Sequence, residues 1–298
     1  MDTRDYTDPI CPFDLSQWQK DAPVESVPMD RIIAKEDEYL GRNDYDGAER
    51  HLLYWLGDAK AGNDFRGAFR IENELMGLYR KSGREKEARA HALTALQMAE
   101  DPRIGADSTG AATCYINAAT VYKTFGRADE GIALFERARR IYERDLPATD
   151  GRLGGLYNNM GLALTDLGRA EEALELYDKA LSRMEQIPGS EPEIAITCLN
   201  ICDTLMARDA RIENEAGEPT TEDDPEAMLV VPAETDRLID GYLDRAWKLL
   251  QTEKVPHDGY YAFVCEKCAP SFAYYGQEKR AQELKERSEE IYRKNQEN

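Results

Sequence analysis

The sequence predicts an all-α fold, about six helical hairpins stacked into a right-handed α-α superhelix. Three observations lead there. A two-helix pattern with a Gly-containing turn recurs, and three successive turn glycines, Gly83, Gly126 and Gly168, lie 43 and 42 residues apart. Small residues return at fixed offsets from each Gly, the first of them five positions on. No single hairpin can bury its apolar stripe alone, so neighbours must stack.

The elements follow in order. Residues 1–28 break the pattern, with Pro9, Pro12, Pro23 and Pro28 beside Phe13, Leu15 and Trp18. They are expected to form an N-terminal extension that docks on the first hairpin rather than filling a groove as a self-inhibitor. The array proper is expected to run over 29–298. Its first hairpin is marked by Asn43, Ala48, Leu52 and Trp55, its second by Gly83, Ala88, Ala92 and Ala95. Gly126, Gly131, Phe135 and Ala138 mark the third, and Gly168, Ala173, Tyr177 and Ala180 the fourth. In the fifth, the first helix is expected from Ile196 and the second from Thr235. Between them RDARIENEAGEPTTEDDPEAMLVVP, about 208–233, carries many acids and Pro219, Pro225 and Pro232, and reads as a mobile loop. The sixth is a degraded copy at Gly276, Ala281, Lys285 and Ser288, and its last helix keeps one apolar stripe among charges, as a terminal cap requires.

Tyr157-x2-Met160-Gly161-x2-Leu164, followed by Gly168, Ala173, Tyr177 and Ala180, resembles the tetratricopeptide repeat family. Tyr115, Ala118, Ala119 and Tyr122 carry the same resemblance one repeat earlier. The period near 42 exceeds the standard repeat and is similar to the longer variant of kinesin light chains and of bacterial peptide-sensing regulators. The resemblance implies a superhelix whose first helices line a concave groove. With Tyr157 as position 4, positions 4, 7, 8 and 11 form the buried stripe, and 2, 5, 6, 9, 12 and 13 face the groove.

Asn117, Asn159 and Asn200 then share position 6 of successive repeats, while Asn73 and Asn158 sit at position 5. A side-chain amide both donates and accepts, so such a ladder can pair with the backbone of an extended peptide. The resemblance assigns that role to Asn117, Asn159 and Asn200; alternatively the amides bond neighbouring repeats and set the superhelical pitch. Arg70, Lys81 and Lys123 are the groove cations expected to meet an acidic group of the ligand. Ile116, Leu162, Ile196, Leu199, Phe263 and Tyr274 are the candidate apolar contacts. A two-carboxylate clamp of the chaperone-binding kind is disfavoured, because Ile33 and Asp37 occupy its positions.

The charge of −20, from 58 acidic and 38 basic side chains, repels phosphate backbones, so no nucleic-acid partner is expected. No apolar run reaches the roughly 18 residues of a membrane span, and MDTRDYTDPI lacks the features of a secretory signal, giving the expectation of a cytoplasmic protein that spans no membrane. Six cysteines in such a chain read as reduced thiols. Cys198-x3-Cys202 and Cys265-x2-Cys268 have zinc-like spacing but fall on the buried stripe, so no metal or other cofactor is expected. Three histidines and no phosphate loop or hydrolase motif leave no enzyme reading. The expected function is a non-enzymatic scaffold that binds an extended peptide or protein segment. The alternatives are an intracellular signal-peptide receptor, for which 28 preceding residues leave no room for an effector domain, and a self-associating element.

Overall fold

The computed structural model describes residues 24–42, 44–216 and 233–297, and every described regular element is an α-helix. Helices follow one another as α1 (Met29–Leu40), α2 (Tyr45–Ala61), α3 (Phe65–Lys81), α4 (Glu85–Ala99), α5 (Thr109–Thr124) and α6 (Ala128–Asp145). They continue as α7 (Gly151–Asp166), α8 (Ala170–Met184), α9 (Glu191–Ala216), α10 (Ala233–Leu250), α11 (Gly259–Tyr274) and α12 (Glu278–Glu297). Among the described residues these twelve helices follow the expected all-α order of successive helical pairs. Two compact units divide the chain, one reaching Val121 and the other starting at Tyr122, apart from the short segment 41–43, which groups with the latter.

First helices begin on residues that cap their leading amides. Asp64 accepts from Gly67 N, Ser108 from Ala111 N, Asp150 from Arg152 N, and Asp258 from Tyr260 N and Tyr261 N. They end on a left-handed residue. Gly83, Gly126, Gly168 and Gly276 have φ between 71° and 76°, a region costly for any residue with a Cβ. The next residue then donates to the carbonyl at position 11: Arg84 to Tyr79, Arg127 to Tyr122, Arg169 to Leu164 and Gln277 to Phe272, at 2.8–2.9 Å. This is the 6→1 bond of a Schellman turn. In the first hairpin Asp44 N reaches Tyr39 O in the same way, although Asn43 lies outside the described residues. Arg-x-x-Glu after the turn adds an ion pair in three hairpins: Arg84–Glu87, Arg127–Glu130 and Arg169–Glu172.

Within the first unit α2 packs on α1 and α3, and α4 on α3. The stripe is sealed at Ile32, Leu75, Met76, Tyr79, Tyr115, Ala118 and Ala119. Two stripe positions hold acids. Glu72 takes position 4, where His91 Nδ1 at 2.6 Å and Lys60 meet it. His91 and His51 occupy equivalent sites, since His51 Nε2 lies 3.1 Å from Ile32 O and both partners precede their histidine by 19 residues. Glu36 takes position 8, where Met76 and Ala119 stand in the next two repeats, and is only 5% exposed. Burial, then the Glu74 carboxylate, pushes its pKa up from 4.5 to about 7, with Asp37 adding and Lys81 opposing.

Within the second unit α7 packs on α6, α8 and α9, α10 on α9, and α12 on α11, while α9 also meets α8 and α11. Tyr157, Met160, Leu164, Cys198, Ile201, Cys202, Leu205, Cys265, Cys268, Ala269 and Phe272 fill the stripe positions, all buried. Gly161 takes a stripe position because a Cβ there would lie 2.5 Å from Cε1 of the fully buried Tyr177 ring. The fifth hairpin departs from expectation. α9 runs to Ala216, so 208–216 are helical rather than loop; the remaining acidic stretch, 217–232, and residues 1–23 of the expected extension lie outside the described residues. The extra length is held at Arg211, whose Nη1 donates to Gly168 O at 2.8 Å. Among the described residues no helix is long and apolar enough to cross a membrane.

Two stability outcomes follow from these contacts. Gly161→Ala should cost roughly 1–3 kcal/mol of unfolding free energy through overpacking. Gly155→Ala, on the same helix with open space at its Cβ, should gain about 0.5–1 kcal/mol from helix propensity alone; urea midpoints of the two variants check this. For Glu36 the folded chain favours the protonated acid. Its contribution is therefore full below pH 4.5 and is lost as the pH rises through about 7. The loss is on the order of 3 kcal/mol, and urea titrations at several pH values should show a shallower fall for Glu36→Gln than for the native chain.

Candidate functional site

Within each unit, first helices of neighbouring hairpins meet, and their polar positions come together there. In the first unit Asn117 Nδ2 donates to Asn73 Oδ1 at 3.4 Å, and Asn73 Nδ2 donates to Phe69 O on its own helix at 2.8 Å. In the second unit Asn200 Nδ2 donates to Asn158 Oδ1 at 3.2 Å, and Asn158 Nδ2 donates to Thr197 Oγ1 at 2.7 Å. Thr165 and Thr204 hydroxyls close the same α7–α9 seam at 2.7 Å. Asn159 takes no part in that seam: its Nδ2 donates to Gly155 O, one turn back on α7, at 2.9 Å.

The amides therefore pair from position 5 of one repeat to position 6 of the next, the contact between neighbouring repeats that the alternative role of these amides calls for. The signal was in the chain: Asn73 precedes Asn117 by 44 residues and Asn158 precedes Asn200 by 42. Asn200 is 8% exposed, its amide largely enclosed, while Asn73, Asn117, Asn158 and Asn159 are half-buried and keep edges toward solvent.

The expected cations divide between the units. Arg70 and Lys81 belong to the first, where Lys81 and then Arg70 oppose the burial that raises the Glu74 pKa. Arg70 also lines an open cavity of about 500 Å³ with Arg31, Arg66, Asp30 and Asp64. Lys123 belongs to the second, with its Nζ 3.7 Å from Asp166 on α7. Of the candidate apolar contacts, Leu199 is buried, Ile116, Leu162 and Ile196 are half-buried, and Phe263 and Tyr274 are exposed.

Three aromatic–carboxylate contacts went unread in the sequence. Tyr260 Oη donates to Glu193 Oε1 at 2.9 Å, Tyr275 Oη to Asp203 Oδ1 at 2.9 Å, and Tyr292 Oη to Glu266 Oε2 at 3.2 Å. Their sequence separations, 67, 72 and 26 residues, fit no single repeat offset, which hides them from a periodicity reading. Cys198, Cys202, Cys265 and Cys268 are buried, and burial pushes the Cys198 thiol up to about 11 and those of Cys202 and Cys268 up to about 12. Thiols so raised are small hydrophobes at neutral pH. Among the described residues no group of three or more His, Cys, Asp or Glu is placed to hold a metal ion.

Comparison with known proteins accords with this architecture. Family models of the tetratricopeptide repeat match residues 67–144 and 154–191. The Arabidopsis thaliana protein kinesin light chain-related 2 is 25% identical over 109 residues, which are 37% of this chain and 16% of that relative's length. A crystal structure of nearly identical TPR-like repeats of kinesin light chain type from Podosopora anserina is 16% identical, with a TM-score of 0.47, over 77% of this chain and 97% of that one. BtubC (BKLC) from P. vanneervenii is 14% identical, with a TM-score of 0.43, over 89% of this chain and 91% of that one. Tetratricopeptide repeats are thus matched at residues 67–144 and 154–191, and the chain is similar over part of its length to a kinesin light chain-related protein.

Proposed function

We propose that this protein-interaction scaffold is non-enzymatic and binds an extended segment of a partner along the edge where its first helices meet. One observation carries the reading. In the second unit the opposite, stripe side of those helices is apolar and sealed, whereas the edge presents half-buried amides at Asn158 and Asn159 together with exposed Phe263 and Tyr274; the first unit presents half-buried Asn73 and Asn117 at its own edge. An amide that already bonds a neighbour still has a donor or acceptor to offer, so a peptide backbone can pair there without disturbing the seam. A few such bonds at roughly 0.5–1.5 kcal/mol each give modest affinity, and apolar contacts have to supply the rest. Arg70, Lys81 and Lys123 serve an acidic group of the ligand only by exchanging their present carboxylate neighbours.

A second role is favoured for part of the set. The Asn73–Asn117 and Asn158–Asn200 bonds fix the spacing of adjacent repeats, as an interhelical amide pair in a mostly enclosed seam does. The two roles separate by residue. Asn200→Ala should lower stability by about 1–3 kcal/mol, because it leaves the Asn158 carbonyl without its donor. Asn159→Ala should stay within about 0.5 kcal/mol of the native chain, since it removes only a local bond. In pull-downs from the native cell extract, Asn159→Ala and Asn117→Ala should weaken capture of the same specific partner; capture unchanged in both would move the binding surface elsewhere on the chain.

A further inference from the structure

We infer that the α9–α11 end of this edge takes a cationic segment, with Arg or Lys side chains laid over the Tyr260, Phe263 and Tyr274 rings and their charges directed to Glu193, Asp203 and Glu266. The inference rests on the scaffold reading and gives its partner a chemistry.

Exposure is the first ground. Phe263 is 47% exposed, Tyr260 49% and Tyr274 72%, a concentration of large apolar surface found on one short helix. Spacings of three and eleven residues place all three on one side of α11. The rings are arranged, not scattered: Tyr260 stacks on Phe263 at 6.4 Å and 28°, and Tyr274 meets Tyr275 edge-on at 5.1 Å and 88°.

The carboxylates are the second ground. Tyr260 and Tyr275 each reach across to α9 and donate to an acid there, which holds the rings in place before any ligand arrives. Glu193 Oε2 is shielded from solvent and has no hydrogen-bond partner. At the groove positions of α9 and α11 the charged residues are Asp203, Glu266 and Lys267, and Glu193 adds a further acid at the start of α9. An anionic segment would be repelled by this set. A neutral apolar one would bury carboxylates whose charge is met only by a tyrosine hydroxyl, which is costly. A cation lying flat on an aromatic face beside a carboxylate satisfies both.

The test uses the full chain and labelled peptides of alternating Arg and Ser, with alternating Glu and Ser and alternating Gln and Ser as references, read by fluorescence anisotropy. The Arg peptide should bind, and raising salt from about 0.15 M to about 0.5 M should weaken it. The Phe263→Ala/Tyr274→Ala variant, which changes no charge, should lose about tenfold, and Asp203→Asn a similar amount. Glu171→Gln/Glu172→Gln, at two exposed positions of α8, should lose nothing. Equal binding by all variants would mean diffuse attraction to an acidic protein and would overturn the inference, as would preference for the Glu or Gln peptide. So would native chains that self-associate in sedimentation through this patch and separate in Phe263→Ala/Tyr274→Ala. If the Asn159→Ala pull-down loses its partner while the Arg peptide fails to bind, the scaffold stands and only its cationic chemistry falls.

Discussion

The left-handed glycine that closes α3, α5, α7 and α11 is the constraint on which the rest depends. It reverses the chain within two residues and lets the following amide reach back to the position 11 carbonyl. That fixed reversal brings Ala88, Ala173 and Ala281 against the preceding helix, where a larger side chain would hold the pair apart. Close pairing in turn aligns the stripe at positions 4, 7, 8 and 11 for burial. What is left over on the other side, positions 5 and 6 above all, is the surface on which adjacent first helices touch. The polar edge is thus what remains of each first helix once turn and stripe have claimed their positions.

Much of this could be read from residue order alone. Turn glycines, small residues and the stripe repeat at one period, and local rules with one period reinforce one another. The edge was legible only in part. Asn73, Asn117, Asn158 and Asn200 were identifiable as polar exceptions, but their pairing runs diagonally, offset from position 5 of one repeat to position 6 of the next. Position counting within one repeat cannot supply that offset. Glu36 was hidden for a different reason: in α1 it looks like one more acid among Asp30, Asp37 and Glu38, and only the register shows that it stands where Met76 stands one repeat later. The tyrosine–carboxylate contacts of α11 join residues with no common period, so nothing in a repeat pattern points to them.

The two units differ in how they treat acids inside the array. In the first, Glu72 is met by His91 and Lys60, whereas Glu36 has Lys81 as the cation bearing on it and is driven toward its neutral form by burial. In the second, stripe positions are filled by Gly, Cys, Met, aromatic and aliphatic side chains; its buried acid, Asp209, lies off the stripe, 2.9 Å from Arg208 Nε. Acids thus enter the stripe in the first unit and stay off it in the second.

α9 is 26 residues long, whereas α7 and α11 have 16 each. At 1.5 Å per residue that difference amounts to roughly 15 Å of rod. A guanidinium clasp on the neighbouring turn, Arg211 to Gly168, holds the added turns to the end of α7. The same turns carry Arg208, whose Nη2 donates to Thr235 Oγ1 at the start of α10 at 3.2 Å, so one overlong helix staples its own hairpin to the one before it.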